Sequence, residues 1–209
     1  MKLTKNIFAT LLLLTSIIGF AQEEEGQQAS NVQTYTPSKL LKKGQWDVKF
    51  FNSIYTQTEQ TDSGSKSQKI DRQTFFTNTT EIYTGVSNSS RVNIGLILQA
   101  RANTYEGAGA LEVLSFKNNT TDARSGLTTI APSIRVQPFK NVGNFSFTSS
   151  FYIPVFKDEP NAPYLDKRSY FWETRFFYDK TFGGNKWLIF TEADFGFNFG
   201  EKAADADAQ

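Results

Sequence analysis

Three carboxylates late in the chain, Glu173, Glu192 and Asp194, have the residue type and spacing that could do chemistry. Two carboxyl groups held side by side can act as general acid and base, and three can hold a hard cation through oxygen. They belong to a wider set of charged residues, Asp47, Lys49, Glu81, Arg91, Arg101, Arg135, Arg175 and Asp179, that recur at alternate positions of otherwise apolar segments. The residue types that are missing narrow the chemistry further. With no His and no Cys, the chain has no imidazole relay, thiolate nucleophile, disulfide framework or thiolate zinc site. Neighbouring side chains of mixed charge on one strand face are far more often structural than catalytic. The expectation is a protein that is not an enzyme and has no metal and no cofactor.

The elements that carry these charges have an apolar period of 2, the mark of strands. In residues 91–103, Val92, Ile94, Leu96, Leu98, Ala100 and Ala102 share one face, while Arg91, Asn93, Gly95, Ile97, Gln99, Arg101 and Asn103 share the other. The same reading gives Trp46/Val48/Phe50/Ile54, Phe76/Thr80/Ile82/Thr84/Val86 and Ile130/Pro132/Ile134/Val136. It continues with Phe145/Phe147/Phe151/Ile153/Val155, Tyr170/Trp172/Phe176/Tyr178 and Trp187/Ile189/Ala193/Phe195/Phe197. Seven segments emerge, each longer than the roughly 5 or 6 residues usual in soluble strands. Tilted strands that cross a bilayer need about 9 to 11.

Composition agrees. In 209 residues there are 20 Phe, 8 Tyr and 3 Trp, more aromatic surface than a disordered chain carries. No apolar run after Phe20 approaches the roughly 20 residues of a spanning helix. The net charge is +1, so there is no basic field for nucleic acid. At the start, Lys2 and Lys5 precede an apolar core from Ile7 to Phe20, and Gly19-Phe20-Ala21 forms a small-x-small site. Residues 1–21 read as a signal peptide cleaved after Ala21, and residues 22–43 as a flexible periplasmic lead-in. Residues 44–200 hold the strands, and 201–209 are a polar tail that would begin an external loop.

Polar links at 59–68, 105–125 and 157–167 are long, whereas turns at 87–90, 140–143 and 183–185 are short. Long and short connections fall at opposite ends, as they do in outer-membrane barrels. The link 105–125 also contains Leu111, Val113, Leu114 and Phe116. A short helix, an extra hairpin or strand extensions would each accommodate them. Pairing Val86 with Val92 places Tyr83 beside Gly95, either a ring lying over a glycine gap or a bulge at Gly95. A two-residue turn at Gly183-Gly184 would set Arg175 opposite Glu192 and Glu173 opposite Asp194. Pro132 and Pro154 fall inside strand segments and imply bulges.

The Phe20-Ala21-Gln22 leader end, the long aromatic strands, and stretches such as IAPSIRVQPFKNVGNFSF (130–147) and FFYDKTFGGNKW (176–187) resemble Gram-negative outer-membrane β-barrel proteins of the porin or transporter type. The likeness spans the chain but is compositional. It implies an all-β, up-and-down antiparallel transmembrane β-barrel located in the outer membrane. Such barrels usually end in an aromatic strand; here seven strands are visible before a polar tail, so the remainder of the barrel is expected to be missing. Lys49, Glu81, Arg91, Arg101, Arg135, Glu173, Arg175, Glu192 and Asp194 would line the lumen, either as a charged path for small solutes or as a salt-bridged plug. Trp46, Tyr170, Trp172, Trp187 and Phe197 would form interfacial girdles. The expected partners are outer-membrane lipid and small solutes. The rival is a secreted soluble β-barrel whose apolar face turns inward to an apolar ligand.

Overall fold

A computed structural model describes residues 38–118, 121–157, 162–184 and 186–200. The leader, most of the lead-in and the polar tail lie outside the described residues. Seven antiparallel strands follow one another: β1 (Trp46–Thr61), β2 (Ser67–Gly85), β3 (Val92–Thr104), β4 (Ala123–Val136), β5 (Phe145–Pro154), β6 (Phe171–Phe182) and β7 (Trp187–Asn198). Each pairs with its sequence neighbour in one sheet, which curls into a half-barrel. The expected all-β, up-and-down arrangement is the one the chain adopts.

Alternation fixes the facing. In β1 to β4 the even positions, Ile130 and Ile134 among them, and beyond a one-residue slip Leu127, lie on one face, and the pairings carry that face through Phe147, Trp172, Phe176 and Phe195. This apolar face is the solvent-exposed one: Ile94, Leu96, Leu127, Ile134, Trp172 and Phe195 are all exposed. The opposite face carries Glu81, Tyr83, Asn93, Ser133, Arg135, Thr148 and Ser150, which are buried. The charged groups lie inside the curl with a few buried rings such as Tyr83 and Phe177, and the exposed aromatics lie outside.

Proline does not act here through a bulge. The slip in β4 lies between the pairs Gln99–Thr129 and Ala100–Leu127, leaving Thr128 as the extra residue. At Pro132 the β4–β5 ladder skips two pairs and resumes with Ser133 opposite Ser150 in unchanged register. A missing N–H removes a rung without shifting the strand. Pro154 is the last residue of β5, where a lost donor costs the ladder little.

Among its described residues the link 105–125 holds a 3-10 turn, Glu112–Ser115, and its last three residues begin β4. Val113 of that turn is buried against Phe76 and Ala102, and Phe116 meets Phe76 edge-on at 5.7 Å. The loop therefore covers the outer face of β2 and β3 at their far end.

Half of the expected long link at 59–68 is strand. β1 and β2 pair as far as Thr61 and Ser67, while β2 joins β3 only from Thr74 onward, so the first hairpin stands taller than the rest. Its residues are polar on both faces, which hides a strand from any apolar-period test. The turn at 62–66 is organised by the Asp62 carboxylate, which accepts the Gly64 and Lys66 amides at 2.9 Å each and the Gln68 side-chain amide at 2.9 Å. The Lys66 amide first, with help from Gly64 and Gln68, holds the Asp62 carboxyl below its ordinary value of 3.8. A depressed carboxyl contributes stability above its unfolded value and loses it as pH falls through the folded one. The turn should therefore loosen only below about pH 4. The protection of the Gly64 and Lys66 amides, their exchange compared with a free peptide at the same pH, should persist at pH 5 and be lost toward pH 2; loss of protection already at pH 5 would contradict the assignment.

Candidate functional site

The charged residues of the concave face meet in one network because β3 presents small or apolar side chains between them. Gly95 faces Tyr83 on β2 and Ser133 on β4. A methyl group built on Gly95 would lie 2.3 Å from the Tyr83 ring, so the ring lies over the glycine, and of the two readings of this position the aromatic cover holds. Tyr83 Oη is 2.7 Å from Ser133 Oγ, itself 2.7 Å from Ser150 Oγ. The Arg135 guanidinium stacks 3.5 Å above the Tyr83 ring, close enough for a cation–π contact.

From there the charges interlock across the sheet. Arg135 donates to Glu81 at 2.9 Å and stands 3.8 Å from Asp47, which also binds Lys49. Arg175 stands 3.5 Å from Glu81, 3.5 Å from Glu173 and 3.9 Å from Glu192. Tyr152 Oη donates to Glu173 at 2.9 Å. Of the sequence-selected residues, Lys49, Glu81, Arg135, Glu173, Arg175 and Glu192 are thus brought together, and Asp194 joins them opposite Arg175.

The last hairpin corrects the expected register. The turn is four residues long, 183–186, closed by the pair Phe182–Trp187, with Gly183 and Gly184 at φ +63° and +66°. Arg175 consequently faces Asp194, while Glu192 faces Phe177 and reaches Arg175 diagonally. The expected Glu173–Asp194 opposition disappears, and Glu173 faces Gly196. The shift is two residues, so every side chain keeps its face. It removes the like-charge pair and keeps Arg175 opposite a carboxylate, the more stable arrangement across strands. Arg175 stands among these three carboxylates, within 4 Å of Glu173 and Glu192 and opposite Asp194. Among the described residues no three His, Cys, Asp or Glu groups converge as a metal site.

Arg91 stands apart from this network. It precedes β3 and donates to the Gln137 carbonyl at 3.0 and 2.8 Å and to the Pro138 carbonyl. Five donors in a fixed fork suit it to clamping two turns together.

Arg101 sits on the concave face near the other end of β3, where it forms a 2.9 Å ion pair with Asp166. Asp166 belongs to the β5–β6 link, which turns inward. Asn103 donates to the carbonyls of Tyr164 and Leu165 at 2.8 and 3.0 Å, Tyr105 Oη to Tyr164 at 2.9 Å, and Arg124 to those of Pro163 and Lys157. Leu165 is buried over Gly126. Nothing in the sequence pattern marked this inward loop, since its contacts are to backbone carbonyls and carry no residue-type signature.

The five girdle residues divide by height. Trp46 and Trp187 begin strands at the short-turn end, whereas Tyr170, Trp172 and Phe197 lie at the long-link end. All five are exposed. At the long-link end Phe151 stacks on Tyr170 at 6.0 Å, and Phe199 meets both Phe151 and Phe197. Phe171 covers Gly196 from the concave side, its ring 2.5 Å from where a methyl would stand. This second aromatic cover is diagonal across the pair, because Phe171 faces Asn198 and Gly196 faces Glu173.

No protein family, curated protein or solved structure matches the chain.

Proposed function

We propose that the seven strands are one wall of an outer-membrane β-barrel, with the ionic face toward a water-filled or side-chain-filled lumen and the aromatic face toward lipid. The observation that carries this reading is the inverted burial: Glu81, Arg135, Thr148 and Ser150 are buried while Phe50, Ile94, Trp172 and Phe195 are exposed. A water-soluble domain hides such aromatics, because large contiguous apolar patches are rare on monomeric surfaces. An apolar-ligand barrel would need an apolar concave face, and here that face holds a charge network. Bands of aromatic residues at both strand ends support a bilayer fit.

The sheet edges bear on the same reading. β1 and β7 run in the same direction and, among the described residues, no strand pairs with their outer edges; hydrocarbon tolerates no open edge. An all-antiparallel closure needs an odd number of additional strands between them. The lumen of the closed barrel would pass small polar solutes past the Arg135 and Arg175 network, narrowed by the inward β5–β6 link.

Fractionation of expressing cells tests the placement. The protein should appear in the outer membrane, with a tag at 62–66 reachable from outside and a tag at 87–90 protected. Recovery from the periplasm as a monodisperse species without detergent would overturn the reading.

A further inference from the structure

Residues 38–45, just before β1, do not run away from the sheet. Gly44 donates to Gly85 at 2.9 Å and Gly85 to Gln45 at 3.1 Å, beside a parallel bridge between Lys43 and Gly85. Leu41 is held at both its backbone groups by one side chain: its amide donates to Asn93 Oδ1 at 3.0 Å, and its carbonyl accepts from Asn93 Nδ2 at 3.1 Å. The Ser38 carbonyl accepts from the Gln137 side chain, which also donates to Gly143 in the β4–β5 turn. Asn93 and Ser38 are buried. Gly85 and Asn93 both belong to the concave face, so this segment lies inside the curl and crosses from β1 past β2 and β3 to the β4–β5 turn.

The crossing depends on one missing side chain. A methyl group built on Gly85 would stand 2.1 Å from the Lys42 carbonyl oxygen and 2.6 Å from that of Leu41. Both obstacles are backbone, which cannot rotate away as a side-chain tip can. Glycine at the end of β2 is thus a condition for seating the segment, as close backbone approach generally requires.

We propose that residues 38–45 are a strap that closes the short-turn mouth of the lumen, seated by Asn93 and admitted by Gly85. The seating itself does not rest on the membrane reading, whereas the consequence for solute flow does. The segment expected as the end of a flexible lead-in is on this account a fixed part of the barrel mouth. Opening it would break the backbone contacts to Gly85 and the Asn93 and Gln137 links while leaving the seven-strand ladder intact, the pattern of a local and separable unfolding unit.

Trypsin provides the test, because Lys39, Lys42 and Lys43 lie in the strap. In membranes or detergent, Gly85→Val and Asn93→Ala should each raise cleavage at these lysines at least about tenfold, with cleavage elsewhere unchanged. In proteoliposomes the same variants should raise the rate of swelling in a small sugar. Cleavage at the wild-type rate in folded variants would overturn the seating. Faster cleavage with unchanged swelling would retain the strap and overturn its role as a closure. If neither variant folds, hydrogen exchange of the wild-type protein decides: protected Leu41 and Gln45 amides support the strap, and exchange at the rate of a free peptide overturns it. Fractionation, read separately, decides the location.

Discussion

Arg135→Leu should lower the stability of the protein by about 3–5 kcal/mol, the loss that follows when one partner of a buried ion pair is removed and the other stays. Arg135 and Glu81 keep only 9% and 8% of their side-chain surface exposed, so neither charge has much water to fall back on. Without Arg135, Glu81 retains only Arg175 at 3.5 Å, and Asp47 retains Lys49. The Tyr83 ring also loses the guanidinium stacked on it. Glu81→Leu should be as damaging, because it leaves two guanidiniums without their shared carboxylate. The double replacement should recover most of the loss, since two apolar side chains need no partner. Denaturant unfolding of the four proteins in one detergent gives the coupling directly. A single-variant loss below about 1 kcal/mol would show that the pair is solvated rather than buried.

The second large effect is expected at the glycine gap of β3. Tyr83→Ala should cost about 3–5 kcal/mol, as aromatic truncations in packed interiors do, because the ring is fully buried and joins the Ser133 hydroxyl to the Arg135 stack. Gly95→Ala should cost about 1–3 kcal/mol by overpacking, since the new methyl meets the Tyr83 ring at 2.3 Å and the Ile82 carbonyl at 2.7 Å. The informative protein is the double variant. Once the ring is gone the methyl has only the carbonyl to contend with, so Gly95→Ala should be markedly cheaper in the Tyr83→Ala background. Equal cost in the two backgrounds, measured by the same unfolding assay, would show that the ring does not dictate the glycine.

Strand facing was readable because it depends only on parity. Every apolar face from Trp46 to Phe197 follows from an alternation that a two-residue slip leaves intact. Register was less readable, because it is set by turn length. Gly183-Gly184 suggests a two-residue turn, whereas the chain uses four residues and brings Arg175 opposite Asp194. The Tyr83–Gly95 pair was accessible because the short turn before it fixes the register nearby. Arg91 shows the opposite case: its place in the alternation does not disclose its partners, because it sits at a strand end, where a long side chain can reach the next turn. The strap and the inward loop left no trace in hydropathy. Their partners are main-chain carbonyls and amides held by Asn93, Asn103 and Arg124, and a polar residue on a polar face looks the same with or without such a partner.

The strictly sequential strand order also bears on how the sheet can be built. Every neighbour in the sheet is the next strand in the chain, so each pairing closes a loop of modest length and low entropic cost. Hairpins can therefore be added one after another, with each new strand finding its partner already in place. The charge network follows a different schedule: Arg135 and Glu81 are 54 residues apart in sequence, and their contact requires three strands to be laid down and curled. The ladder can be assembled locally, whereas the buried ions meet only after the curl exists, so the polar interior records tertiary shape and the strand pairing does not.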